Sequence, residues 1–257
     1  MMSTLPRATA LCEAIQRQPT LADEWRIYPL VPYIQKYIRG ANEKGMVNLF
    51  LDTFSQVNLG QKLSLLLRGG KGILSKDLGQ MLHLLGDIEL LPFHGLRLGA
   101  VFLHDVPTDL ALGLGLDSVL EDFRDHVHDK YGVPVGFATK NLPLLLERLE
   151  RRGWAQPLVM ASFNAVGFCV NPSLDKCAEI LGRPGVAFVA MNTLASGYLS
   201  PEEAYSYIAR FRSVRSVVVG ISRKEHAAKT VDAIRRHLPF ANTISVLERF
   251  DSNTQRP

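Results

Sequence analysis

The chain has 257 residues, 29 Lys and Arg against 25 Asp and Glu, a formal charge of +4 and 47% hydrophobic residues. This balance excludes an intrinsically disordered chain, a collagen-like repeat and a polybasic nucleic-acid tail. A charge of +4 on so long a chain suits small phosphorylated or carbonyl-containing ligands better than nucleic acid. Cys12, Cys169 and Cys177 lack CxxC spacing, which predicts reduced, partly buried thiols with no disulfide framework and no metal site. The first residues carry charges and Gln where a signal peptide needs an apolar core, and the sequence has no uninterrupted membrane-length apolar run. These features predict a cytoplasmic protein that does not bind a membrane; oligomeric state is not legible.

In chain order, residues 1–25 read as an amphipathic helical extension and Ile27 to Leu30 as a possible first strand. Apolar, β-rich runs follow: VNLFLDT from Val47, KGILSK from Lys71, LGAVFLHD from Leu98, VPVGFA from Val133, PLVMASFN from Pro157, VAFVAMN from Val186 and RSVVVGI from Arg215. Their spacing of about 25 to 35 residues is that of a strand, loop, helix and loop, and continuously apolar strands suit a parallel sheet covered by helices. Between them, NLPLLLERLERR from Asn141 places Leu144, Leu145 and Leu149 on one helical face, stopped by Gly153. Ser200 followed by Pro201 and two glutamates is a helix start, and Ser222 with Glu225 repeats the design. LSLLLRGG and QMLHLLGDIELL read as core helices, and 251–257 as a frayed tail. Seven strands plus a possible eighth, with no GxGxxG turn, predict a single α/β domain built as a (β/α)8 TIM barrel.

A barrel of this kind works at the C-terminal ends of its strands. The polar residues there are Asp52, Lys76, His104, Asp105, Thr139, Lys140, Asn164, Asn192, Ser222 and Arg223. Asp52, Lys76 and His104, at the ends of three successive strands, could share a pocket and polarise a carbonyl or move a proton. His126 and His128 point about 200° apart on a helix and read as a solvated face. Cys169 reads as a packed thiol, with a nucleophile as the alternative. Arg210, Arg212 and Arg215 form a modest solvated basic edge.

From Glu43 onward the chain resembles the aldo-keto reductases. EKGMVNLFLDT is similar to that family's second-strand signature, ILSKDLG to its lysine motif and VFLHD to its histidine motif. NTLASGYLSPEEAYSYI followed by SVVVGISRKEH is similar to its last two strand loops. The resemblance implies NADPH-linked carbonyl reduction, with Asp52, Lys76 and His104 as catalytic positions. The family's tyrosine position is occupied by Val57, with Asn58 next. A valine cannot donate a proton, so His104, a water, or a hydroxyl from Tyr33, Tyr37 or Tyr198 must stand in, or the reaction differs.

For the cofactor the resemblance implies Thr139, Asn164, Asn192, Leu194, Gly220, Ser222, Arg223 and His226. Ala138 with Thr139 stands where the family has a Ser-Asn pair, Met160 where it has Gln, and Lys229 with Thr230 where it has Glu-Asn. Three functions stay open on the sequence: a reductase with an altered proton donor, a non-redox lyase, dehydratase, isomerase or cyclase using the same three residues, and a catalytically silent ligand-binding barrel.

Overall fold

A computed structural model describes residues 6–18, 20, 25–34, 74–220 and 224–238. The chain divides into two compact units, Met1–Val135 and Gly136–Pro257. Both are α/β, and every recorded strand pairing is parallel.

In the first unit, β1 (Leu30–Val31) pairs with β2 (Val101–Leu103) in the register Leu30↔Phe102 and Val31↔Leu103. A bridge between Ile27 and Leu98 extends the pair, and Pro134 accepts from the Val101 N–H at 2.9 Å. All three β2 residues are buried, as the continuous apolar run predicts. Helix α1 (Pro6–Gln16) buries Cys12 and Ile15 and packs on the turn Leu91–Phe93, where Gln16 Nε2 donates to the His94 carbonyl at 2.9 Å. The other α-helices among the described residues of this unit are α2 (Leu74–Leu90), α3 (Asp105–Leu114) and α4 (Ser118–Tyr131). Leu82, Leu85 and Leu90 form the apolar stripe of α2, and Leu120, Phe123 and Val127 that of α4.

Two expectations change here. KGILSK is not a strand through Lys76: the helix begins at Leu74, so Lys76 belongs to its first turn rather than to a strand end. The 3.6-residue recurrence of Leu78, Leu82 and Leu85 overrides the short apolar run before it. Leu30 also pairs directly with Phe102, so the first and fourth strands of the eight-strand reading are neighbours. The runs containing Asp52, Val57 and Asn58, the segment LSLLLRGG and the tail 251–257 lie outside the described residues.

In the second unit, β3 (Val135–Ala138), β4 (Leu158–Ser162), β5 (Ala187–Met191) and β6 (Val214–Val217) pair in sequence order. These match the expected runs. Helix α5 (Leu142–Arg151) is capped by Asn141, whose side chain accepts from the Leu144 N–H, and Leu145, Leu146 and Leu149 are buried. Gly153, at φ 77°, supplies the left-handed turn after it. Helix α6 (Leu174–Leu181) starts at the cap Ser173. Helix α7 (Pro201–Ile208) carries a complete capping box between Ser200 and Glu203. It packs against α8 (Lys224–His237), where Glu202 meets Arg236 and His237. Phe163 sits in an aromatic core, edge-on to Phe211 at 4.8 Å and Phe188 at 6.1 Å. Among the described residues no helix is long and apolar enough to cross a membrane.

Candidate active site

In the first unit, β2 ends at Leu103 and the chain turns at His104, the N-cap of α3. Its backbone is held on both sides: the N–H donates to the Val31 carbonyl at 2.9 Å, and the carbonyl accepts from the Thr108 hydroxyl at 2.9 Å. The ring, like the carboxylate of its neighbour Asp105, is almost wholly buried. Its Nδ1 stands 2.6 Å from Asp105 Oδ1 and 3.3 Å from the Val106 nitrogen. The hydrogen bond at Nδ1 is the one it accepts from the Val106 N–H, and the Asp105 carboxylate lies against the same atom without hydrogen-bond alignment.

Tyr33, just after β1, brings its ring to that of His104, with centroids 5.5 Å apart and planes at 63°. The Tyr33 backbone N–H donates to Glu89 Oε2 at 2.8 Å. Glu89 is 1% exposed and its second oxygen, Oε1, has no hydrogen-bond partner among the described residues. Sequence reasoning missed Glu89, although the signal was present: it continues the Leu82, Leu85, Gly86 face of α2 at helical spacing, an acid on an apolar stripe. Of the three tyrosines weighed as substitute donors, Tyr33 lies at His104, Tyr198 is 80% exposed, and Tyr37 lies outside the described residues.

In the second unit, the residues after β5 and β6 enclose a cleft of about 940 Å³. Asn192, Leu194, Gly220 and His226 all line it, as do Lys229 and Thr230. The backbone after Met191 is bent by a left-handed series, Asn192 at φ 55°, Ala195 at 47° and Ser196 at 58°, ending at Gly197. Such conformations cost about 1 kcal/mol or more in non-glycine residues and need support from their surroundings. Asn192 Nδ2 supplies it by donating to Ser162 Oγ at 2.8 Å. Among the described residues, a Cβ placed on Gly220 would meet nothing within 4 Å, so that position opens space rather than relieving a clash. His226 and Lys229 are exposed there, and Lys229 gives the cleft rim a positive charge. Ser222 and Arg223 lie outside the described residues.

Asn164 and Thr139 are not in that lining. Asn164 is fully buried; Nδ2 donates to the carbonyls of Phe168 at 2.8 Å and Asn192 at 3.2 Å, and Oδ1 accepts from the N–H groups of Val166 and Phe168. Its two donors and two lone pairs are spent inside the protein, so it holds a loop rather than a cofactor amide. Buried Thr139 accepts from the Asn141 N–H at 2.9 Å.

The remaining sequence candidates separate. His128 is exposed, but His126 is not simply solvated: it binds Asp87 at 2.9 Å and stacks on His83. Cys169 is exposed rather than packed, whereas Cys12 and Cys177 are buried. Among the described residues no group of three His, Cys, Asp or Glu side chains could hold a metal. No family model, curated protein or solved structure matches this chain.

Proposed function

We propose that the chain is a divergent carbonyl reductase of the aldo-keto reductase type, NADPH-linked and built on a (β/α)8 barrel, in which Tyr33 takes the proton-donating role that Val57 cannot fill. The observation that carries this reading is the contact between the Tyr33 and His104 rings. The sequence resemblance marks His104 as the histidine of the site, and a tyrosine ring beside it supports this reading.

The roles follow from the geometry of the first unit. The Tyr33 hydroxyl gives its proton to the carbonyl oxygen of a small-molecule substrate as negative charge develops there. Asp105 and the Val106 N–H flank Nδ1 of the His104 ring, and Val31 and Thr108 fix its backbone, so the imidazole faces the phenol in a set orientation. Glu89 anchors the Tyr33 main chain.

NADPH, when bound, supplies the hydride. The cleft of the second unit suits its phosphates: Gly220 leaves room, Lys229 brings positive charge, His226 adds an imidazole, and the strained turn from Asn192 to Gly197 lines the wall. Asn164 and Thr139 do not fit a carboxamide, since their polar groups are committed within the protein. The reading therefore has the cofactor gripped by its phosphates.

Titration of protein into NADPH tests the cofactor directly. A change in nicotinamide fluorescence at micromolar protein, weakened by Lys229→Glu, is expected; no change at high protein concentration overturns the assignment. The commitment of Asn164 and Thr139 favours one second reading, a non-redox lyase, dehydratase, isomerase or cyclase at His104. Substrate consumption without loss of absorbance at about 340 nm, the signal of NADPH oxidation, would select it.

A further inference from the structure

We propose that the stacked pair of His83 and His126 is an acid-sensitive latch between α2 and α4 that regulates the Tyr33 site. The rings lie face to face, centroids 4.1 Å apart and 5° from parallel. Each reaches to the opposite helix: His83 Nε2 on α2 stands 3.1 Å from the Asp122 carbonyl of α4, and His126 Nε2 on α4 stands 2.9 Å from Asp87 Oδ1 of α2. The two contacts cross, so the pair closes the helix interface from both sides.

Asp87 is the hub of the latch. Besides His126 it accepts from Lys130 Nζ at 2.6 Å and the Tyr131 hydroxyl at 2.8 Å. Burial pushes the Asp87 carboxyl up, but the hydrogen bonds from His126, Lys130 and Tyr131 outweigh it and hold it below its ordinary value. Burial, and then the bond to Asp87, keep the Tyr131 phenol protonated. The helices also approach closely: a Cβ on Gly79 would stand 3.4 Å from Asp122 Oδ2, and one on Gly86 would stand 3.4 Å from the Phe123 ring.

The groups facing His83 are few. From α4 they are Asp122 and His126, with Lys130 and Tyr131 behind them on Asp87; from α2 itself there is Asp87. Among the described residues, the other elements packed most closely on α2, β1 and the turn Leu91–Phe93, carry no titratable residue. Burial, then the neighbouring His126, lower the proton affinity of His83 below its ordinary value of 6.5, against weaker opposing contributions from Asp122 and Asp87. At neutral pH His83 is therefore an uncharged ring that stacks. When His126 carries its proton against Asp87, a second proton on His83 sets two positive rings face to face, and stacking turns to repulsion.

Helix α2 transmits the change. Glu89, less than two turns beyond His83, holds the Tyr33 backbone at 2.8 Å. Opening of α2 from α4 withdraws that anchor. This last link rests on the proposed role of Tyr33; the latch itself does not.

The test compares wild type with His83→Phe, which keeps a stacking ring and removes the titration, and with Asp87→Asn, which keeps the size and removes the charge. Thermal melts and hydrogen exchange of the α2 and α4 amides are followed from about pH 7.5 to about pH 5.5, across the ordinary histidine range. Wild type is expected to lose several degrees of melting temperature and protection in both helices. His83→Phe should lose much less, and Asp87→Asn should open at higher pH. NMR titration of the His83 ring in wild type, with a midpoint below 6.5, keeps the test decisive if His83→Phe does not fold.

An acid loss in His83→Phe equal to wild type, or a His83 midpoint at or above 6.5, overturns the latch. Turnover of an aldehyde with NADPH is followed over the same range. Acid loss of turnover that His83→Phe relieves supports the regulation. Turnover with the same pH profile in both proteins overturns the regulatory link. The melting signature without turnover in any protein leaves the latch standing and removes the reductase reading with its regulatory link.

Discussion

Tyr33 presents its ring to that of His104 at a centroid distance of 5.5 Å and a 63° angle, and the two are brought together by the parallel pairing of β1 with β2. The residues that follow the two paired strands leave the same edge of the sheet. A tyrosine and a histidine placed there can exchange a proton with a common ligand.

Tyr33→Phe removes only the hydroxyl and keeps the ring contact with His104. NADPH-linked reduction is expected to fall by about a hundredfold or more, the usual loss for a general acid, with NADPH binding unchanged. Steady-state kinetics beside a fluorescence titration separate the two. Undiminished turnover would return the proton-donating role to His104 or a water.

Asn164→Ala should cost about 3 kcal/mol, measured by urea unfolding. The side chain is fully buried and makes four hydrogen bonds to main-chain groups, so its loss strands several polar groups at once. A cost near zero would mean that the loop has another support.

Much of the second unit was legible because local signals agree there. The runs at Val133, Pro157, Val186 and Arg215 became β3 to β6, the helix read from Asn141 is present, and the cap at Ser200 starts its helix as expected. The first unit was harder. KGILSK has a strand's composition, yet the leucines beyond it carry helical spacing, and the longer pattern decided the structure. Nor does the sequence order reveal that Tyr33 meets His104, since that contact depends on which strands become neighbours. Asn164 was legible as a polar strand end but not as a side chain already spent on its own loop.

Thiol labelling offers a simple check of exposure. Cys169 is exposed, whereas Cys12 and Cys177 are buried and burial raises both above the ordinary thiol value. A disulfide reagent at mild alkaline pH should modify Cys169 rapidly and the other two only on unfolding. Mass spectrometry of the labelled peptides identifies the site; rapid loss of Cys177 would contradict the packing of α6.

The contact of α7 with α8 should weaken in acid. The hydrogen bond from His237, with help from Arg236, holds the Glu202 carboxyl below its ordinary value of 4.5. Its contribution is therefore present above pH 4.5 and is lost as pH falls through the lower folded value. Hydrogen exchange in α8 should rise over that acid range in wild type, and Glu202→Gln should show the faster exchange already at neutral pH. The pair is exposed, so the effect should be small and reduced by salt.

The four bonds of Asn164 mean that its loop reaches its final shape without help from any ligand. A molecule arriving beside Phe168 and Asn192 meets a surface already cast, and its affinity is not diminished by the entropy of freezing a floppy segment. Association there should consequently be limited by diffusion and desolvation rather than by a slow rearrangement of the polypeptide.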